Sequence, residues 1–374
     1  MKFTCEKLLL LAAIITTSHA AAVKSPVPLL EGLLLEVEEE NIRISGYNLK
    51  TGIVTTVPAE VEETGGIVLN ARLFGDIIRK MPGQEITISV NTGFVATIGS
   101  ELKISEFEIL GSPITDYPEL PTVDGMDSIE IEEAMLKKMI SQTNFAVSDN
   151  ESRPIHTGAL FETGDGELTI VAVDGYRLAL RREPLENSNV PAFSFVVPGS
   201  ALSDLEKIIA DGDDMVNITH GPKYITFTIG NTSLISRRLE GEFLNYKKSV
   251  PQSSKYKFMV EKDEIVRAVE RVSLIISDKM RTPIRCVFGE EIIKMSTAST
   301  YGKANDECAM NGDGEELEIG FNDNYLLEAL KAAPAEKVVL ELTSGVSPCV
   351  ISSADEKNNF LYMILPVRLK AYEG

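Results

Sequence analysis

The side chains that could do chemistry are few and scattered in this sequence. The three histidines, His19, His156 and His220, lie far apart, with no H-E-x-x-H pattern and no neighbouring cysteine. A protein zinc site needs several nitrogen, sulfur or oxygen ligands, which usually come at short and regular spacings. The sequence therefore predicts no metal site.

The cysteines form no recognisable framework. Cys5, Cys286, Cys308 and Cys349 include no C-x-x-C pair. Loss of Cys5 with a cleaved signal peptide would leave an odd number of thiols, so a secreted protein would keep one unpaired. Reduced thiols are ordinary in the cytoplasm, and the cysteine usage therefore favours a cytoplasmic protein.

Catalytic patterns are missing as well. Neither phosphate-binding glycine motif, G-x-x-x-x-G-K-[ST] or G-x-G-x-x-G, occurs. The 56 acidic residues include no two that stand apart as a general acid and a general base. We predict no catalytic residue, no cofactor and a binding or scaffolding role. An enzyme with an unrecognised site is an alternative that no motif supports.

Length and charge limit the partners. At 374 residues with 44% hydrophobic residues, the chain can bury more than one core. Its net charge of −20 argues against a protein that grips nucleic acid over its whole surface. A local basic surface inside an acidic exterior remains compatible with these totals.

The elements that must position these side chains repeat three times. A short alternating strand that runs into a helix begins near Phe3, Ile129 and Phe258, at shifts of 126 and 129 residues. In the helices that follow, apolar residues recur in two matching columns. These columns contain Leu10, Leu136 and Ile265, then Ile14, Ile140 and Val269.

A second strand-and-helix unit recurs from Ile67, Phe195 and Ile319. Each domain therefore looks like two copies of a helix-plus-strands module. Tyrosine and proline segments that align at the same spacing place joints near residues 122 and 252. We predict three domains, residues 1–122, 123–252 and 253–374.

The first 22 residues also resemble a secretory signal. They combine Lys2 with an apolar run and the small residues Ala20 to Ala22. A secreted or cell-surface repeat protein with a cleaved signal peptide is therefore the alternative. The repeat instead makes this stretch a first strand and core helix, and Glu6 stands where a signal prefers positive charge. An intact mass that showed cleavage after Ala20 or Ala22 would exclude our interpretation.

Three local stretches carry a family resemblance. They are Val173-Asp-Gly-Tyr-Arg-Leu-Ala179, Ser236-Arg-Arg-Leu-Glu-Gly-Glu-Phe243 and Met363-Ile-Leu-Pro-Val-Arg-Leu369. With the threefold organisation, the whole chain resembles the bacterial DNA polymerase sliding clamps, the beta subunits of DNA polymerase III. The resemblance implies an α+β fold of three clamp domains, each with two helices packed on antiparallel sheets, that assemble into a ring. It further implies a cytoplasmic, non-enzymatic homodimer that encircles duplex DNA as a processivity factor.

The resemblance also implies a groove between the second and third domains for short hydrophobic motifs of polymerases, the clamp loader and repair proteins. Its matching residues are Gly175, Tyr176, Arg177, Leu178, Leu244, Lys248, Pro348, Met363, Ile364, Leu365, Pro366, Val367, Arg368 and Leu369. Leu244, Lys248 and Pro348, with His156, depart from the commoner family pattern and put the motif preference in question. The segment 370–374 extends beyond the usual family end.

Two further sets follow from the resemblance. The residues expected to face DNA are Lys24, Arg72, Arg79, Lys80, Lys137, Lys138, Lys207, Arg267, Arg271 and Lys331. The column of Lys138 and Arg267 has Ala12 in the first helix, so that helix offers little positive charge. At the subunit seam, Phe107 and Ile109 are expected to meet Ile275 and Ile276 of a second copy.

Overall fold

The structure is a computed structural model that describes residues 1–123, 128–185, 192–277, 282–312, 316–355 and 359–369. The chain divides into two compact units. The first unit contains Met1–Leu136 and Ser200–Arg238, and the second contains Lys137–Gly199 and Leu239–Gly374. The segment 370–374 lies outside the described residues.

Strands dominate both units. The α-helices are α1 (Lys7–Ser18), α2 (Ala71–Lys80), α3 (Glu133–Ser141), α4 (Gly199–Ile208), α5 (Tyr246–Ser249), α6 (Lys262–Ser273) and α7 (Asp323–Ala332). The strands up to the start of α3 are β1 (Lys2–Glu6), β2 (Gly32–Val37), β3 (Asn41–Tyr47), β4 (Thr51–Pro58), β5 (Glu60–Glu63), β6 (Gly65–Asn70), β7 (Glu85–Val90), β8 (Val95–Ser100), β9 (Glu106–Leu110) and β10 (Ser128–Glu132).

The later strands are β11 (Gly158–Gly164), β12 (Glu167–Val173), β13 (Arg177–Pro184), β14 (Ser194–Pro198), β15 (Met215–His220), β16 (Tyr224–Ile229), β17 (Thr232–Arg237), β18 (Tyr256–Glu261), β19 (Ile284–Phe288), β20 (Ile292–Ser299), β21 (Gly302–Ala309), β22 (Asn311–Gly312), β23 (Leu317–Phe321), β24 (Lys337–Leu342), β25 (Cys349–Ser353) and β26 (Phe360–Ile364).

The first unit contains a five-stranded sheet, β5-β1-β7-β8-β9, and an eight-stranded sheet, β10-β15-β16-β17-β4-β3-β2-β6. Helices α1 and α2 pack against each other. Phe3 and Leu10 are fully buried in the core of this unit, together with Ile14 and Phe74. The stretch that resembles a signal peptide thus supplies core side chains, which does not favour the secreted alternative.

The predicted repeat is present in the structure. Each predicted strand runs directly into its helix, as β1 into α1, β10 into α3 and β18 into α6. The six residues of the two predicted apolar columns are all buried, which confirms the predicted core face. The second unit of each repeat is also confirmed, as β6-α2, β14-α4 and β23-α7. The Asn70 and Asn322 side chains accept hydrogen bonds from Leu73 N and Tyr325 N, both at 3.0 Å, and so cap α2 and α7.

The second unit contains a nine-stranded sheet, β14-β11-β12-β13-β26-β25-β24-β18-β22, and a four-stranded sheet, β21-β20-β19-β23. Phe258 of the larger sheet and Phe288 of the smaller stack with ring centroids 4.5 Å apart. Helices α6 and α7 pack together. The mixture of helices and antiparallel sheets confirms the predicted α+β class. In the described part of the chain, no helix combines the length and apolar character needed to cross a membrane.

Two sheets run across the predicted domain joints. Strand β4 pairs with β17 from Thr51↔Ser236 to Thr55↔Thr232, and β13 pairs with β26. Unpaired strand edges invite aggregation, and joining them edge to edge removes that liability. This pairing explains why the compact units divide the middle third of the chain. The boundaries at residues 122 and 252 stay a prediction.

Candidate functional site

The pairing of β13 with β26 brings the two main predicted groove segments together. Arg177 lies opposite Ile364, and Leu178 lies opposite Met363. The backbone N–H of Leu365 donates to the carbonyl oxygen of Tyr176 at 2.8 Å and extends the contact. Segments almost 190 residues apart in sequence, 175–178 and 363–365, therefore form one surface of the second unit.

Beneath this surface lies an apolar cluster, called the groove cluster below. Leu178 and Met363 are buried in it, and four half-buried residues pack around them. The buried members are Leu160, Val171, Val173, Leu178, Leu180, Val196, Tyr246, Val350 and Met363, and the half-buried members include Ile155, Phe243, Val250 and Leu361. Half-buried apolar side chains on a buried base can cover the apolar residues of a docked peptide.

Tyr176 stands out from the surface beside this cluster. Gly175 precedes it with a φ of +93°, a left-handed conformation that glycine adopts at little cost. The Tyr176 side chain is 62% exposed, and its ring stacks on Tyr325 with centroids 6.2 Å apart. The two rings form an exposed aromatic wall, and Tyr325 was not among the residues predicted from sequence.

Arg177 is held by its own chain. Its Nε donates to Asp174 Oδ2 at 2.9 Å, its Nη2 donates to the Phe145 carbonyl oxygen at 2.6 Å, and its Nη1 pairs with Glu328. The guanidinium also lies 4.4 Å from the ring centroid of Tyr325. Two carboxylates therefore already compensate its charge. The structure gives Arg177 the role of positioning Tyr325, whereas the sequence suggested a direct contact with a partner's acidic groups.

The other predicted groove residues differ in accessibility. Ile364 is fully buried, Leu365, Pro366 and Val367 are half-buried, and Arg368 is exposed. Val367 N donates to the Gly320 carbonyl oxygen at 2.8 Å, so the terminal segment runs alongside β23. A Cβ on Gly320 would stand 2.7 Å from Leu369 Cδ2, which places Leu369 against the same strand.

The three residues that depart from the family pattern lie around this surface. Leu244 and Lys248 are exposed on either side of the buried Tyr246, and Pro348 is half-buried. Pro348 immediately precedes Cys349, which pairs with Ile364 across β25 and β26.

His156 contacts the half-buried rim of the groove cluster. Its ring meets Phe243 edge to face at 5.7 Å. Burial, followed by the nearby Arg153 charge, lowers the pKa of His156. The imidazole is therefore mainly neutral at pH 7 and serves the rim as an aromatic surface.

Sequence reasoning missed several members of this surface. Leu361 could have been found, because it lies two residues before Met363 and alternate residues of a strand share a face. Ile155, Val250 and Tyr325 carry no such signal, since loops and a distant helix bring them to the site.

The cations of the first unit that are expected to face DNA are exposed side chains. They are Lys24, Arg72, Arg79, Lys80 and Lys207. Arg79 pairs with Asp76 at 2.6 Å and Lys207 pairs with Asp204 at 3.1 Å. In the part of this unit that the structure describes, Lys24, Arg72 and Lys80 make no ion pair within 4.0 Å.

The corresponding cations of the second unit are Lys137, Lys138, Arg267, Arg271 and Lys331. Lys137 is half-buried and the other four are exposed. Arg271 donates to both carboxylate oxygens of Asp306, at 2.5 and 3.0 Å, and Lys331 pairs with Glu270 at 2.7 Å. About half of the predicted DNA-facing charge is thus compensated locally.

The predicted seam residues lie at a sheet edge and after a helix. Phe107 and Ile109 belong to β9, the edge strand of the five-stranded sheet. Phe107 is exposed, as are Ile104 and Leu110, whereas Ile109 packs on the core. In the second unit, Ile275 and Ile276 follow α6 and are half-buried.

The thiols are poor nucleophiles. All four cysteines are buried and free. Burial raises the pKa of Cys5 to about 12 and, with nearby carboxylates, that of Cys308 to about 11. Because the thiolate is the reactive form, these groups are inert at neutral pH. Among the described residues, no three His, Cys, Asp or Glu side chains gather where they could hold a metal ion.

Comparison with known proteins agrees with this geometry. Residues 1–121 match the N-terminal domain of the DNA polymerase III beta subunit, residues 130–245 its central domain and residues 247–368 its C-terminal domain. The chain is 33% identical to the beta sliding clamp of Staphylococcus epidermidis over 382 aligned positions, covering 98% of this chain and 99% of the relative.

Solved structures give the same result. The DNA polymerase sliding clamp of Bacillus subtilis superposes with a TM-score of 0.95 at 30% identity, covering 99% of this chain and 100% of that one. A putative DNA polymerase III beta subunit of Eubacterium rectale gives a TM-score of 0.94 at 30% identity, covering 98% and 99% of the two chains.

Proposed function

This chain belongs to the DNA polymerase III beta subunit family, the bacterial sliding clamps, and we propose that it serves as a processivity factor in DNA replication. Two copies form a closed ring around duplex DNA in the cytoplasm and tether the polymerase, the clamp loader and repair proteins. The ring does no chemistry of its own. The observation that carries the proposal is the match of all three family domains, in order, along almost the whole chain.

The charge distribution fits a protein that slides. A closed ring retains DNA topologically, so it needs only weak contacts to phosphates, without sequence preference. Four of the ten predicted DNA-facing cations are already ion-paired within the chain. The net charge of −20 keeps nucleic acid away from the remaining surface.

The groove cluster is the proposed docking site for partners. Its half-buried rim offers apolar area to leucine and phenylalanine side chains, whose burial contributes roughly 25 cal/mol per Å². Tyr176 and Tyr325 add a flat aromatic wall that a peptide can pack against. The ligand class is therefore a short peptide with neighbouring aliphatic and aromatic residues.

Truncating the rim tests this site. Phe243→Ala combined with Ile155→Ala removes two rim side chains and leaves the buried Leu178 and Met363 in place. We expect about tenfold or greater weakening of a fluorescent peptide that carries Leu and Phe, measured by anisotropy, as for central residues of an interface. The fully exposed Val23→Ala is the control. Unchanged affinity in the rim variant would exclude this docking site.

The proposed subunit seam joins β9 of one copy to the segment after α6 of a second copy. An edge strand with exposed apolar residues is a ready template for pairing with another chain. Truncating Phe107 and Ile275 together to alanine should move the protein toward monomer on a sizing column at fixed concentration, whereas Val23→Ala should not. A dimer peak that stays in place would exclude this seam.

A further inference from the structure

A cavity of about 460 Å³ lies beside the groove cluster in the second unit. Leu180, Tyr246, Val250 and Leu361 line it, and all four also belong to the groove cluster. The cavity is therefore continuous with the proposed docking site. We call it the flank cavity, because a peptide that extended beyond the groove would enter it.

The flank cavity differs from the groove cluster in charge. Arg182 and Lys247 line it, and among the described residues no carboxylate does. In a chain of net charge −20, two cations on one small concave surface favour an anionic ligand. The groove cluster itself offers mainly apolar contacts.

Arg182 has spare hydrogen-bonding capacity. Its Nε lies 3.4 Å from both Glu167 Oε2 and Thr169 Oγ1. Its two terminal nitrogens make no hydrogen bond in the part of the chain that the structure describes. A guanidinium presents a planar fork of donors that matches a carboxylate. The backbone N–H of Arg182 donates to the Asn359 carbonyl oxygen at 2.9 Å, which fixes the strand that carries this side chain.

Lys247 is partly compensated but not saturated. Its Nζ lies 3.1 Å from Glu162 Oε2, and the Tyr246 hydroxyl donates to the same oxygen at 2.6 Å. An ammonium group has three donors, so Lys247 can serve Glu162 and a ligand together. The Gln252 side-chain amide donates to the carbonyl oxygens of Lys247 and Val250, at 3.3 and 3.1 Å, and holds this segment in place.

We propose that the flank cavity binds an acidic residue that flanks the apolar motif of a partner peptide. This inference rests on the proposed docking function of the groove cluster and specifies its ligand further. The apolar part of the peptide covers the cluster, while the neighbouring carboxylate lies between Arg182 and Lys247. The surface thereby distinguishes partners by the charge beside their motif.

The test uses the full chain and three fluorescent peptides with one apolar core sequence. One peptide carries two Glu residues before the core, one carries two Glu after it, and the third carries Gln at all four positions. One acidic peptide should bind about threefold or more tightly than the neutral one at low salt, as for a partly exposed charge pair. The preference should shrink as ionic strength rises.

The double variant Arg182→Gln and Lys247→Gln should lose this preference. The matched control is Arg43→Gln with Lys257→Gln, because these cations are as exposed and as ion-paired as the two cavity residues. Arg43 is 40% exposed against 43% for Arg182, and Lys257 is 63% exposed against 65% for Lys247. The control should keep the wild-type preference.

The outcomes separate the two proposals. If all three peptides bind wild type equally, or if the double variant keeps the preference, the flank cavity is not the acidic subsite and the groove proposal stands. If no peptide binds wild type, the docking function itself fails, and the flank cavity proposal fails with it.

Discussion

Helices α1 and α6 begin corresponding repeats, yet they expose opposite kinds of side chain. Both bury the same two columns, with Leu10 and Ile14 in α1 and Ile265 and Val269 in α6. The exposed residues of α1 are Leu8, Leu9, Ala12 and Ile15, and those of α6 are Asp263, Glu264, Arg267 and Arg271. The Leu8 side chain is 69% exposed.

The comparison separates what packing dictates from what it leaves open. A buried column must be apolar in each repeat, because the sheets cover it. An exposed column carries no such requirement, so it reflects function or tolerance. The same difference explains the resemblance to a signal peptide, since α1 is apolar on its exposed face as well as its buried one.

Truncation in the shared column should have the largest effect. Leu10→Ala and Ile265→Ala each leave a cavity in a packed core, and we expect each to lower the free energy of unfolding by about 2–5 kcal/mol in urea titrations. The exposed Leu9→Ala should change it by less than about 0.5 kcal/mol. If Leu10→Ala cost no more than Leu9→Ala, α1 would not be the core helix described above.

Charge removal on α6 should have an intermediate effect. Arg267 makes no ion pair within the described residues, whereas Asp306 holds Arg271 by two hydrogen bonds. Arg267→Gln should therefore reduce the salt dependence of binding to duplex DNA by up to about 0.9 in log–log slope. Arg271→Gln should reduce it less. Anisotropy titrations across a salt series measure both slopes, and a larger effect of Arg271→Gln would reverse this assignment.

The mirror variant on α1 should have the smallest effect. Ala12 is exposed and occupies the column of Arg267, so Ala12→Lys adds the missing charge without disturbing the core. We expect a modest gain in DNA affinity that disappears at high salt. Leu9→Lys, outside that column, is the control. An equal gain in both variants would show that the column has no special orientation toward DNA.

Much of the fold could be predicted because the sequence repeats it. The alternating strands and the apolar columns recur near one spacing, so each copy supports the others. The sheets that cross the predicted joints could not be predicted, since the pairing of β4 with β17 and of β13 with β26 depends on contacts distant in sequence.

The candidate site was predicted in part. Leu178 and Met363 were named from a family resemblance, and the structure brings them together in the groove cluster. The compensation of Arg177 by Asp174 and Glu328 was missed, because a helix far along the chain supplies Glu328. The flank cavity was missed for the same reason, as the segments that form it are distant in sequence.

The central claim is that this protein holds DNA by encircling it. The direct test is to load the protein on nicked circular DNA with a bacterial clamp loader and ATP, remove free protein by gel filtration, and then linearise the circle. We predict that the protein stays with the intact circle and is lost from the linear DNA, because a ring can slide off a free end. Equal retention on both forms would contradict the account and indicate an ordinary DNA-binding protein.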